Sequence, residues 1–163
     1  MHKRLIHKSL LAVLLIIFAP FSNAEETGVE SLSVELRALL SKEMLAIQEG
    51  MVAIIPAYSA GKTDEIASIA RLIKESYVLK QNMSKAQKEE LHSKLPAEFL
   101  ELDQQFHYNA GMLQHAAENR KHELIGFYFW QLSEAFAGCH SQYARHQFPQ
   151  LIAEDELKKT HTH

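Results

Sequence analysis

Four stretches of this chain repeat apolar residues at intervals of three and four, and no stretch alternates apolar with polar residues between turn signals. That spacing puts the apolar residues of each stretch on one side of an α-helix and leaves no segment suited to a sheet. The first stretch runs from about Ser31 through Leu36, Leu40, Met44, Ile47, Met51 and Ile54, with Pro56 and Ala60-Gly61 marking its end. The second opens at Thr63-Asp64-Glu65 as a cap with an acidic first turn, continues through Ile66, Ile69, Ile73 and Tyr77, and fades near Asn82-Met83-Ser84. Ser84-Lys85-Ala86-Gln87 has the form of a capping box, so Lys85 to His92 reads as a short helical turn. Pro96 starts the third stretch, which carries Phe99, Leu102, Phe106, Ala110, Leu113 and Ala117. After the polar break Asn119-Arg120-Lys121-His122 comes the fourth, with Leu124, Phe127 or Tyr128, Leu132, Ala135, Phe136, Cys139 and Tyr143, stopping before Pro149. Short links join the first stretch to the second and the third to the fourth, as an antiparallel four-helix bundle requires. The expected fold is therefore all-α, one bundle over residues 25–150, with a polar tail from 151 to 163.

The residues before the bundle read differently. Lys3, Arg4 and Lys8 precede the apolar run Leu10 to Ala19, followed by Pro20 and the small-residue ending Ser22-Asn23-Ala24. A basic start, an apolar core of that length and an A-x-A-like site make residues 1–24 a secretory signal peptide, cleaved after Ala24. The run is short for a membrane span, so the expectation is an exported, periplasmic chain with no membrane association after cleavage. Of the 17 basic and 20 acidic residues, cleavage removes Lys3, Arg4 and Lys8, leaving 14 basic against 20 acidic and a formal charge of −6. Nucleic acid is accordingly a poor partner.

Export makes one count conspicuous: a single Cys beside ten His. A lone thiol in an oxidising compartment must pair between chains, stay buried or be used chemically. Cys139 is followed directly by His140 near the end of the fourth stretch. The segment Phe136-Ala137-Gly138-Cys139-His140 is similar to the haem attachment motif C-x-x-C-H, with Phe136 at the first Cys position.

With that pair in the last helix of a four-helix pattern, the chain resembles the cytochrome c-prime family and its non-covalent relative, the soluble b-type cytochrome bundle. The match at motif level is Cys139-His140, together with Met44 in Met44-Leu45-Ala46-Ile47, which looks like the haem-facing stretch of the family's first helix. The resemblance implies a haem with His140 as the proximal iron ligand. Cys139 would be the sole thioether anchor, or the haem would be held non-covalently. It further implies electron transfer to a redox partner protein or the binding of a small gas, and pairing into a homodimer. Met44 is either a second iron ligand or a filler of the distal pocket. Leu40, Ile47, Met51, Phe106, Leu132, Phe136 and Tyr143 are the expected pocket walls.

Two other readings stand beside this one. A haem-free exported bundle would serve as an interaction or stress module, with Phe136 filling vacated space. A periplasmic copper protein would use Cys139, His140 and Met44, soft ligands suited to copper(I). His107 lies four residues after Asp103, a spacing that favours a structural hydrogen-bonded pair over a metal site. There is no H-E-x-x-H, no di-iron arrangement of E-x-x-H motifs, no G-x-S-x-G, phosphate loop or dinucleotide fingerprint, and no acid, base and nucleophile grouped together, so no enzymatic activity is expected. His161-Thr162-His163 is a weak metal-scavenging tract.

Overall fold

A computed structural model describes residues 28–76, 82–145 and 147–151; the segment 1–24 expected to be a signal peptide, Tyr77, His146 and the tail from 152 onward lie outside the described residues. The described residues hold five α-helices and no strand: α1 Val34–Ser59, α2 Thr63–Glu75, α3 Lys85–Lys94, α4 Ala97–Glu118 and α5 His122–Tyr143. Single 3-10 turns at Val29–Ser31 and Pro149–Leu151 flank them. None of these helices is long and apolar enough to cross a membrane. The all-α expectation holds.

The local signals explain most boundaries. The Ser33 hydroxyl accepts from the Leu36 amide to cap α1, and it also donates to the Glu90 carboxylate at 3.0 Å, which ties α3 to the start of α1. Lys94 reaches the same carboxylate, and the capping box of Ser84 with Gln87 forms as the sequence suggests. Pro96 is the N-cap of α4. Thr63 does not cap α2: it is the first helical residue, and its amide donates to the Gly61 carbonyl inside the turn.

α2 is shorter than its apolar spacing predicts. It stops at Glu75 because Ser76, buried and at φ 60°, turns the backbone out of the helix and donates its hydroxyl to the buried Glu43 carboxylate at 2.7 Å. A tertiary polar contact thus overrides local helical preference. The same contact shifts the inward face of α1. The buried residues are Leu36, Leu40, Glu43, Ile47, Gly50, Ile54 and Ala57, while Met44 and Met51 flank that face, half-buried.

The tightest pairing is α2 on α4, where Ile66, Ala70 and Ile73 meet Ala110, Leu113 and Ala117, all fully buried. Small side chains let the two helices approach closely, and dispersion contacts accumulate accordingly. α5 then packs on α4 through Ile125 and Leu132, and α1 packs on α2. A second cluster of Leu32, Leu36, Leu40 and Leu95 joins the start of α1 to the end of α3. The outer side of α5 keeps the only tryptophan, Trp130, 61% exposed.

Two turns of identical hydrogen bonding connect the helices. After α1, Gly61 N–H donates to Tyr58 O and Lys62 N–H to Ala57 O; after α4, Arg120 N–H donates to Ala117 O and Lys121 N–H to Ala116 O. Each is a Schellman ending with a left-handed residue, Gly61 at φ 68° and Arg120 at φ 54°. The turns lie side by side: residues of both line one cleft, and the Tyr58 hydroxyl of α1 donates to the His122 carbonyl of α5 at 3.3 Å. Only one turn carries the residue its backbone favours. Arg120→Gly should therefore raise stability by about 0.5–1 kcal/mol, and Gly61→Ala should lower it by about 1 kcal/mol, both read from chemical denaturation midpoints.

Candidate functional site

At the end of the molecule away from the two turns, α1, α4, α5 and residues 147–148 enclose a cavity of about 360 Å³. That size falls in the range of small-molecule sites. The walls from α1 include Leu40, Glu43, Met44 and Ile47; those from α4 include Phe99, Asp103, Phe106 and His107. α5 contributes Phe136, Cys139, His140 and Tyr143. Larger side chains here hold the helices apart, in contrast to the alanine-lined seam between α2 and α4. No Lys or Arg is among the lining residues.

Ten residues were named from the sequence, and eight of them meet at this cavity: Leu40, Met44, Ile47, Phe106, Phe136, Cys139, His140 and Tyr143. The other two do not. Leu132 is fully buried in the core behind the wall, facing α4, and Met51 packs against that core two turns beyond Met44, toward the turn end. Met44 touches both apolar clusters and bridges them at the cavity wall.

His140 is the most exposed to chemical use. Neither ring nitrogen has a hydrogen-bond partner among the described residues, while the ring packs against Phe136 at 4.2 Å and stacks on Phe148 at 4.3 Å with an interplanar angle of 3°. Burial holds its pKa below the ordinary value of 6.5 and keeps the imidazole neutral, the form that binds a metal. Its neighbour behaves in the opposite sense: burial, with the negative charge of Asp103 adding to it, pushes the Cys139 thiol up to about 11. Burial likewise raises the Tyr143 phenol, with smaller contributions from Glu98 and Cys139.

A polar network forms one side of the cavity. His107 Nδ1 donates to the Ile73 carbonyl at 2.8 Å, and its Nε2 lies 3.4 Å from the Asp103 carboxylate, so the expected pair exists and is anchored to α2 as well. The Ser76 amide donates to that same carbonyl, which links the pair to Ser76 and so to Glu43. Sequence reasoning missed Glu43, and the available signal was its place between Leu40 and Ile47 on the buried stripe of α1. It also missed Phe148, which lies past the end of α5 and carries no periodic signal. Among the described residues no group of three or more His, Cys, Asp or Glu converges as a metal site. Comparisons of the chain with protein-family models, curated proteins and solved structures found no match.

Two outcomes follow from the ionisations. At pH 8 the thiolate fraction of Cys139 is about a hundredfold below that of a thiol with the ordinary value of 9.0, so alkylation by iodoacetamide should be slower than in the urea-unfolded chain by about that factor. The folded pKa of His140 is lowered, so the unfolded state takes up more protons; the stability its neutral form contributes is present above 6.5 and is lost as pH falls through the folded value. Urea unfolding at pH 7 and pH 5 should show a larger acid loss for the wild type than for His140→Gln.

Proposed function

We propose that this chain is an exported haem-binding protein of the cytochrome c-prime kind. In this reading α1, α2, α4 and α5 form an antiparallel four-helix bundle, and the haem sits in the cavity between α1, α4 and α5. The supporting observation is convergence: the Cys-His pair and the Met that carry the resemblance, and most of the apolar walls expected with them, line one cavity. Three further features fit the group. The His140 imidazole is neutral and has both nitrogens unengaged by described residues, the lining is dominated by apolar side chains, and no Lys or Arg competes with the iron's charge.

His140 would hold the iron, with Met44 as a second ligand or as a filler of the pocket. Cys139 would supply the single thioether anchor, its S–H adding across a haem vinyl group with no leaving group. A bound haem provides a one-electron iron couple and a position for a small gas. The protein's own contribution is to exclude water through Phe99, Phe106, Phe136 and Ile47, which favours the less charged state of the site. The haem-free reading has one observation in its favour: Phe136 already packs between His140 and Phe106, their ring centroids at 4.2 and 6.0 Å.

The absorption spectrum of protein matured through export decides. A Soret band is expected, with pigment that resists denaturing extraction in the wild type and becomes extractable in Cys139→Ser. His140→Ala should lose the axial-ligand features of the spectrum. A colourless wild type overturns the haem reading.

A further inference from the structure

Metal-binding histidines are ordinarily oriented by a hydrogen bond from the second ring nitrogen to a carboxylate or carbonyl. His140 has no such bond among the described residues, and its orientation comes from aromatic contact instead. The geometry points to Phe148 as a positioning residue that fixes the plane of the His140 imidazole, with Phe136 as its counterpart from within α5. The inference rests on the reading of His140 as the iron ligand, and it assigns to the site a residue beyond the last helix.

Several features hold Phe148 in place. The chain folds back after α5 through amide bonds from Gln147 and Phe148 to the Ala144 carbonyl at 2.9 and 3.1 Å, and Leu151 N–H closes the next turn on Phe148 O. Pro149 follows directly and restricts the backbone of Phe148 to extended conformations. The ring therefore reaches His140 from a segment with little freedom to withdraw it. A parallel stack at 4.3 Å covers one face of the imidazole and leaves the nitrogens at its edge free. Phe136, at the position where a haem attachment motif carries its first Cys, packs against the same ring at 59°. Phe136 thus gives His140 an aromatic contact where that motif would give the haem a second thioether.

The test compares Phe148→Tyr and Phe148→Leu in the full exported chain. Leu keeps apolar bulk without a flat ring, whereas Tyr keeps the ring. In cofactor-free protein, ring-current shifts should hold the His140 carbon-bound ring protons upfield in wild type and Phe148→Tyr, and should shrink in Phe148→Leu to the part that Phe136 contributes, with the helical circular dichroism unchanged. Hemin affinity should fall about three- to tenfold in Phe148→Leu, the size of one aromatic contact, and return in Phe148→Tyr. Wild-type ring shifts in Phe148→Leu overturn the proposal. A wild type that keeps the upfield shifts but takes up no hemin upholds the positioning contact and defeats the haem reading alone.

Discussion

The close seating of α2 on α4 sets the geometry of everything else. Ala70, Ala110 and Ala117 let the two backbones approach, and Ile66, Ile73 and Leu113 fill the space that remains, all without solvent exposure. That seam fixes the height of α2's last turn against α4, and so brings the Ile73 carbonyl to His107. The rest of the interior must accommodate residues too large for such contact. Where Phe99, Phe106, Phe136 and Tyr143 replace alanine, the helices stand further apart and a cavity opens. A dense seam at one place and a cavity at another are two results of one distribution of side-chain volume.

The buried Glu43 is the costliest element of this arrangement. A carboxylate taken out of water requires compensation, and the Ser76 hydroxyl provides part of it by ending α2 at a left-handed residue. The short helix, the unusual backbone angle and the polar side of the cavity are therefore one structural fact. Glu43, Ser76, His107 and Asp103 form a connected set through the Ile73 carbonyl, placed against apolar walls on the other sides.

What could be read from the sequence follows from how local each cause is. The capping box at Ser84, the start at Pro96 and the stop at Gly61 depend on neighbours within a turn, and each appears where expected. The end of α2 depends on a partner 33 residues away, so spacing alone extended that helix too far. On α1 the expected Leu36, Leu40, Ile47 and Ile54 are buried, while Met44 and Met51 are only half-buried beside Glu43 and Gly50, which apolar spacing does not count. For the cavity, Cys139-His140 gave a fixed point from which helical geometry identified most walls. Leu132 and Met51 were assigned to it because periodicity reports which residues point inward, and cannot separate a solid core from a hollow one. Phe148 belongs to no periodic pattern, and only the fold brings it to His140.

The cavity joins the two ends of the chain in time as well as in space. Its walls come from residues 40–48 and 135–148, separated by roughly a hundred residues, while each helical hairpin closes over a three-residue link. Loop closure favours the short links first, so the hairpins can form while the chain is still emerging. The cavity is complete only once Phe148, among the last residues described, is in place. Whatever it holds must therefore be received by a chain already complete through Phe148.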